Sequence, residues 1–353
     1  MDIKAPKIDI LSLSQEELTE EIVKIGEPKF RAKQIYSWIN KGMFGEEMTN
    51  ISKNLQKKLE DVFEFRLPKV NKKLCSQLDG TIKYLFELID GEMIESVFMK
   101  YEHGNTLCIS SQVGCRMGCK FCASTLAGRV RNLTPSEMLG QIISAQKDTG
   151  ERISNVVMMG IGEPLDNYDN VIKFLHLVSC DEGLNIGLRH ISLSTCGLVD
   201  KIDSLANEGL PITLSISLHA YDNEVRSSIM PVNNKYPIEK LLSACDRYFK
   251  KTGRRISFEY TLIAGKNDTT EGALSLAKIL KKHLKSSQHV NLIPLNEVSE
   301  TRLQTSKNVN NFKNTLLSQG INATVRRKLG SDINASCGQL RRQNAANKAG
   351  GGQ

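Results

Sequence analysis

A chain of 353 residues with 40% apolar and 24% charged residues has the composition of an ordinary folded protein, which excludes wholesale disorder. The longest apolar runs fall well short of a membrane span and residues 1–9 lack the apolar core of a signal peptide, so no membrane partner is expected and the chain reads as cytoplasmic. A net charge of +8 suits a polyanionic partner, and nine cysteines, three of them crowded between Cys115 and Cys122, point in a reducing compartment to metal or redox chemistry rather than to a disulfide framework.

In chain order, the first predicted element is a helix. Ser14-Gln15-Glu16-Glu17 has the form of a capping box, and the apolar-periodic stretch behind it ends near Gly26. A second helix is predicted over 28–40, with Phe30, Ile35, Trp38 and Ile39 as its apolar face and Lys29, Arg31 and Lys33 on the other; a third covers 52–62. Residues 1–68 thus form a helical module whose basic face is a candidate phosphate contact, although a solvated helix surface also accounts for it. Residues 69–100 read as an antiparallel meander, because Ile82, Tyr84, Phe86 and Leu88 alternate and Asp79-Gly80 and Asp90-Gly91 are hairpin turns.

From Leu107 the pattern becomes strand, loop and helix, repeated. Strands are predicted over 107–111, 155–159, 190–195, 212–218, 255–263, 289–295 and 322–327, and helices over 136–147, 170–179, 199–207, 237–250, 271–284 and 308–318. Thr134, Pro135 and Glu137 are good start chemistry for the first of these helices. Such alternation implies parallel strands with helical crossovers, an α/β domain over 101–340, but periodicity alone does not separate a doubly wound sheet from a barrel. The polar, Gly-rich stretch 341–353 is expected to be a flexible tail.

Cys115, Cys119 and Cys122 form CxxxCxxC, a spacing that lets thiolates reach one metal centre from a single loop. Three ligands are one short of a closed structural zinc site, and no second CxxC pair exists. A cubane cluster held by three cysteines leaves one iron open to a cofactor. Met158-Met159-Gly160-Ile161-Gly162-Glu163-Pro164 follows a predicted strand; its glycines allow backbone to approach a ligand, and Glu163 can take an ammonium group. Ser194, Ser217, Leu218, His219 and Asn296 sit at or just beyond the C-terminal ends of predicted strands, the rim where barrel enzymes place their chemistry. Cys75, Cys180, Cys196 and Cys245 read as small buried hydrophobes. Cys337 differs: it follows the basic run Arg326-Arg327-Lys328, precedes a Gly and lies outside any apolar periodicity, which makes it a candidate functional thiol.

The cysteine spacing resembles the signature of the radical S-adenosylmethionine (SAM) superfamily. With Phe30-Arg31-Ala32-Lys33-Gln34-Ile35, Cys108-Ile109-Ser110-Ser111-Gln112-Val113-Gly114-Cys115, Met159-Gly160-Ile161-Gly162-Glu163-Pro164-Leu165, Ile216-Ser217-Leu218-His219, Val290-Asn291-Leu292-Ile293-Pro294 and Cys337-Gly338-Gln339-Leu340, nearly the whole chain resembles the radical SAM adenine methyltransferases that modify 23S rRNA and certain tRNAs. The resemblance implies a partial (β/α)6 radical-SAM barrel with a small N-terminal helical domain and an antiparallel β extension. It implies one 4Fe–4S cluster on Cys115, Cys119 and Cys122, and SAM contacts from Gly162, Glu163, Ser194, Ser217, Leu218, His219 and Asn296. Carbon 2 of adenine is electron-poor and no nucleophile, so direct transfer from a sulfonium fails there. The family route, as the resemblance implies it, uses two SAM molecules per turnover. One methylates Cys337; the other is cleaved at the cluster, and its radical takes a hydrogen from the S-methyl group. The carbon radical adds to the ring, a base removes the ring proton, and Cys108 attacks the Cys337 sulfur, leaving a transient disulfide. Glu95 matches the position of the proton acceptor, and sequence alone leaves Glu95 and Cys108 open for that role.

The implied substrates are an adenosine at the peptidyl transferase centre of 23S rRNA and the adenosine 3′ to the anticodon in certain tRNAs. An external one-electron reductant of flavodoxin or ferredoxin type is implied too, and a monomer is the default expectation. Two other readings stand beside this one. A related branch methylates carbon 8 of the same rRNA adenine and confers antibiotic resistance; Pro164 favours carbon 2, since that branch typically carries Ala there. A basic, zinc-stabilised RNA-binding protein without catalysis would contain one zinc and no sulfide.

Overall fold

The computed structural model describes residues 6–284, 288–296, 303–335 and 340. Cys337 and the 341–353 stretch lie outside the described residues.

Three helices open the chain, α1 (Gln15–Lys24), α2 (Phe30–Ile39) and α3 (Lys53–Val62), bracketed by a short parallel pair, β1 (Ile8–Asp9) and β2 (Phe63–Glu64). The Ser14–Glu17 capping box forms: Ser14 Oγ accepts from Glu17 N and Glu17 Oε2 accepts from Ser14 N. In α2 the buried face is Ala32, Ile35, Tyr36 and Ile39, an i, i+3, i+4, i+7 stripe. Phe30 falls outside it and is 59% exposed beneath the Arg31 guanidinium, and Trp38 is half-buried, so the expected apolar face is displaced by a fraction of a turn.

The remaining strands form one ten-stranded sheet and a small hairpin. An antiparallel meander of β3 (Lys69–Cys75), β4 (Ile82–Glu87) and β5 (Met93–Met99) pairs onto β6 (Thr106–Cys108). The predicted 107–111 strand ends early; the chain leaves the sheet and makes a hairpin of β7 (Gln112–Gly114) and β8 (Arg129–Asn132) before α4 (Pro135–Thr149). The sheet then continues in parallel through β9 (Asn155–Met158), β10 (Ile191–Thr195), β11 (Thr213–Ser217), β12 (Ile256–Leu262), β13 (His289–Pro294) and β14 (Asn322–Val325), joined through α5 (Tyr168–Ser179), α6 (Val199–Asn207), α7 (Asn223–Ile229), α8 (Ile238–Thr252), α9 (Thr270–His283) and α10 (Val309–Ser318). Helix α7 has no counterpart among the predicted elements.

Strand order follows chain order from β6 to β14 with no reversal, so the sheet is not doubly wound. Its edges, β3 and β14, are not paired with each other among the described residues, which leaves an open, partial barrel. The parallel set contains all seven predicted strands, the last of them, 322–327, forming β14, one more than the six that the (β/α)6 resemblance implies. Register decides which side chains look inward. Lys83 lies opposite Val97, Leu85 opposite Glu95, and Val97 opposite Cys108, so these five share one face. The other face carries Tyr84, Phe86, Ile94, Phe98 and Leu107, which join Met138 and Ile142 of α4 in the main core. That core extends without a break to Leu18, Ile35 and Leu59 of the N-terminal helices. No helix of the described residues is long and apolar enough to cross a membrane.

Candidate active site

The β7–β8 hairpin frames the cysteine loop. Gly114 has φ +75° and sits where a Cβ would lie 2.0 Å from Gly128 O, so only glycine lets the chain turn into Cys115 there. Cys115 N donates to Gly128 O at 3.0 Å, Lys120 N to Ile229 O at 2.9 Å, and Thr125 Oγ1 to Cys122 O at 3.0 Å. Asp166 ties the loop to the turn after β9 by accepting from Gln112 Nε2 at 3.0 Å and pairing with Arg129 at 2.9 Å and with Arg116.

Cys115, Cys119 and Cys122 line one cavity of about 230 Å³, together with Gly160, Gly162, Glu163, Ser194, Thr195, Cys196, Ser217, His219 and Glu259. Burial pushes the Cys115 thiol up to about 12 and the Cys119 thiol up as well. Thiols so disfavoured as anions ionise when they bind a cationic metal centre. Among the described residues no three His, Cys, Asp or Glu side chains meet closely enough to hold a single ion. A cubane takes each thiolate on a different iron, so its ligands stand around a volume instead of meeting at a point.

Glu163 is 4% exposed. Its Oε1 accepts from Leu165 N at 3.1 Å, and its backbone N donates to Gln112 Oε1 at 2.9 Å. Burial raises its pKa above the usual carboxylate value, against the hydrogen bonds it accepts. The two glycines before it serve packing as well as access: a Cβ would lie 2.6 Å from Ile109 O at Gly160 and 2.6 Å from Gln112 at Gly162. The sequence reading that they admit a ligand therefore covers only part of their role.

His219 stands at the end of β11 with φ 55°, a left-handed conformation uncommon outside glycine. Asn267 holds it there, donating to His219 O at 2.7 Å and to Thr261 O at 2.8 Å. The imidazole meets the Phe121 ring edge-on at 4.8 Å, which joins the cysteine loop to the barrel.

Not all expected contacts converge. The Leu218 side chain is fully buried in the core, so only its backbone is available. Asn296 is exposed and lines a neighbouring cavity of about 490 Å³. Cys108, Val97, Arg326, Arg327, Lys328 and Asn334 line that second cavity too. Met159, Ile293 and Arg326 border both, so the two cavities adjoin. Glu95 lies on the Cys108 face but lines neither; it is 1% exposed and pairs with Lys83 at 3.1 Å.

Several residues escaped sequence reasoning. Arg226 is fully buried beneath the cavity, and Lys83, Asn267 and Gln112 are buried as well. Glu259 carried a signal: in the alternating strand Ile256–Leu262 it stands between Phe258 and Tyr260, and the strand is buried throughout, so the carboxylate needs a polar partner, here Asn291 Nδ2 at 2.7 Å. Cys196, read as a small hydrophobe, does pack among Ile229, Met230 and Leu295, but it also lines the cysteine cavity.

The profile of the Radical SAM superfamily matches residues 109–277, and that of the ribosomal RNA large subunit methyltransferase N-terminal domain matches residues 8–65. A protein of Clostridium novyi (strain NT) named probable dual-specificity RNA methyltransferase RlmN is 55% identical over 95% of this chain and 98% of its own length. The chain belongs to the RlmN family. A protein of the same name from Clostridium perfringens (strain 13 / Type A) is 56% identical, covering 95% of this chain and 96% of its own. The solved structure of a radical SAM methyltransferase from Sphaerobacter thermophilus, 40% identical, superposes with a TM-score of 0.89 over 94% of this chain and 98% of its own. Membership of the RlmN family makes this chain a radical SAM methyltransferase and implies a 4Fe–4S cluster and SAM. The three thiols, the buried carboxylate and the two serine hydroxyls around one cavity fit both.

Proposed function

We propose that this chain methylates carbon 2 of an adenine in RNA, in both 23S rRNA and tRNA, using Cys337 as the methyl carrier and two SAM molecules per turnover. The observation that carries the reading is the adjacency of the cysteine cavity to a second cavity that contains Cys108 and is bordered by Arg326, Arg327 and Lys328. The dual-specificity name of the relatives supports the choice of RNA.

When bound, the cluster and SAM supply one-electron cleavage of a sulfonium and a hydrogen-abstracting radical. Cys115, Cys119 and Cys122 would hold the cluster, and Glu163 would take the methionine ammonium. Ser194, Ser217 and His219 close the same cavity, and Asn296 would reach the cofactor from the neighbouring one. Arg326, Arg327 and Lys328 draw RNA phosphate to the entrance. Cys108 would resolve the adduct by attacking the Cys337 sulfur, so that the disulfide forms as the bond from that sulfur to the RNA-linked carbon breaks and the electron pair leaves with the RNA; the ring proton goes to Glu95 or to Cys108, which share one sheet face. The electron comes from a flavodoxin or ferredoxin type donor.

Anaerobic reconstitution with iron and sulfide, labelled methyl transfer to 23S rRNA and tRNA, and mass mapping of the nucleotide test this. Methyl on carbon 2, no transfer by Cys337→Ala and a trapped RNA adduct with Cys108→Ala are expected. Methyl on carbon 8, zinc without sulfide, or normal transfer by Cys337→Ala overturns the reading.

A further inference from the structure

Residues 329–335 are fastened to the antiparallel extension far away in sequence. Asp332 Oδ1 accepts from Ser76 Oγ at 2.7 Å and its Oδ2 from Gln77 N at 2.9 Å. Asp79 Oδ2 accepts in return from Gly330 N at 2.8 Å. Two carboxylates thus cross between the β3–β4 turn and the C-terminal segment in opposite directions. Lys83, one strand position past that turn, donates to Asn334 O at 3.1 Å while its ammonium pairs with Glu95 Oε2 at 3.1 Å. Lys83 and Glu95 are each 1% exposed, so neither charge is met by water. Apolar contacts close the join: Leu329 and Ala335 pack with Val97, Met99 and Cys108, and Leu340 packs with Leu85 and Met93.

One face of the meander packs on α4 in the main core, and its other face carries these contacts to the C-terminal segment. We infer that β3–β5 are a clasp for the segment that carries Cys337, with Asp79 and Asp332 as its outer fasteners and Lys83 as the inner positioning residue that ties that segment to Glu95. This rests on the reading of Cys337 as methyl carrier. The physical case is that Ala335 and Leu340 are both seated on the extension, on either side of Cys337 in sequence. A carrier thiol has to visit the radical source, the base and Cys108, and tethers at both flanks keep that search short. Lys83 contacts no substrate in this scheme; it acts through Glu95 and the Asn334 carbonyl.

Three variants of the full chain test the clasp. Asp332→Ala removes two fasteners at an exposed site, and Asp332→Asn keeps one acceptor. The paired Lys83→Met/Glu95→Gln removes both buried charges together, because Lys83→Met alone strands a buried carboxylate and disturbs folding. Amide hydrogen exchange of residues 329–335 should quicken about tenfold in Asp332→Ala and in the paired variant, as expected for lost hydrogen bonds to charged groups, with exchange in α4 unchanged. In reconstituted enzyme, Asp332→Ala should lower kcat about fivefold with the KM for RNA within about twofold, and Asp332→Asn should recover part of the loss. Unchanged exchange in both variants overturns the clasp. Faster exchange with unchanged kcat overturns the positioning role. If wild-type enzyme transfers no methyl to RNA, the functional reading fails and the positioning role with it, while the exchange measurements still decide the clasp.

Discussion

The backbone N–H of Cys196 donates to Glu163 Oε2 at 2.7 Å, fastening the carboxylate that follows β9 to the end of β10. The side chain is thereby aimed across the cavity with its hydrogen bonds made and no ion pair to a Lys, Arg or His among the described residues. A buried carboxylate in that condition suits a cationic ligand group. Glu163→Gln keeps the shape and removes the charge, so SAM affinity should fall about tenfold or more, since a hydrogen bond to a charged group is worth about 1.5–3 kcal/mol. Equilibrium binding of SAM to iron-loaded protein measures this; unaltered affinity would assign the ammonium to another group.

Four cysteines line the same cavity, and only three are proposed ligands. Cys115→Ala should abolish iron and sulfide loading and the broad visible absorbance that accompanies it. Cys196→Ala should load normally and lose only about 1 kcal/mol of stability, the scale of a small core truncation. Iron and sulfide assays on the two proteins separate ligand from packing, and normal loading of Cys115→Ala would remove it from the ligand set.

Arg226 holds the rim together without a carboxylate partner among its hydrogen bonds. Its Nη2 donates to Cys196 O at 2.7 Å and Ser217 O at 3.2 Å, its Nε to Leu218 O at 3.1 Å, and its Nη1 to Asn233 Oδ1 at 3.1 Å. Burial pulls its pKa down to about 10, so it stays charged at neutral pH. Arg226→Met leaves those acceptors buried and unmet and should cost about 3 kcal/mol or more. Arg226→Lys should recover only part, lacking the planar fork. Urea unfolding of the iron-free chain reads the difference, and an unchanged midpoint for Arg226→Met would contradict this.

His219 makes stability depend on pH. Thr261 N donates to His219 Nδ1 at 2.9 Å, so the neutral ring carries its proton on Nε2. Burial, then the Arg226 charge, lower its pKa to about 3. The unfolded chain takes up the proton near pH 6.5, whereas the folded chain resists until about 3, so stability is fully present above about 6.5 and is lost as pH falls below it. His219→Asn tolerates the left-handed backbone and does not titrate there. Its unfolding free energy should therefore fall less than that of the wild type between pH 7.5 and 5.5. Equal declines would show that other groups set the trend.

Sequence carries the local features well. The caps at Ser14 and Thr134, the alternation of strand and helix, and the crowding of Cys115, Cys119 and Cys122 into one loop all depend on neighbours a few residues apart. Such signals survive in one dimension because the partners that satisfy them are adjacent in the chain. The α2 face is the exception within reach of periodicity: Phe30 has the right character, but the first turn of a helix is free to point away from the core.

What sequence alone determines, then, is the chemistry on offer: three thiols at cluster spacing, a carboxylate in a glycine-rich turn, and two further cysteines, Cys108 and Cys337, at opposite ends of the main domain. Tertiary structure decides which polar groups look inward. Lys83, Glu95 and Cys108 come to one face through strand register, Glu259 reaches the cavity lining through the order of the parallel strands, Arg226 is brought from α7 to the Cys196 and Ser217 carbonyls, and Asn296 is set in the neighbouring cavity from Glu163. The reason is that a strand presents both faces equally in sequence, and only pairing with a distant partner chooses the one that closes on the site.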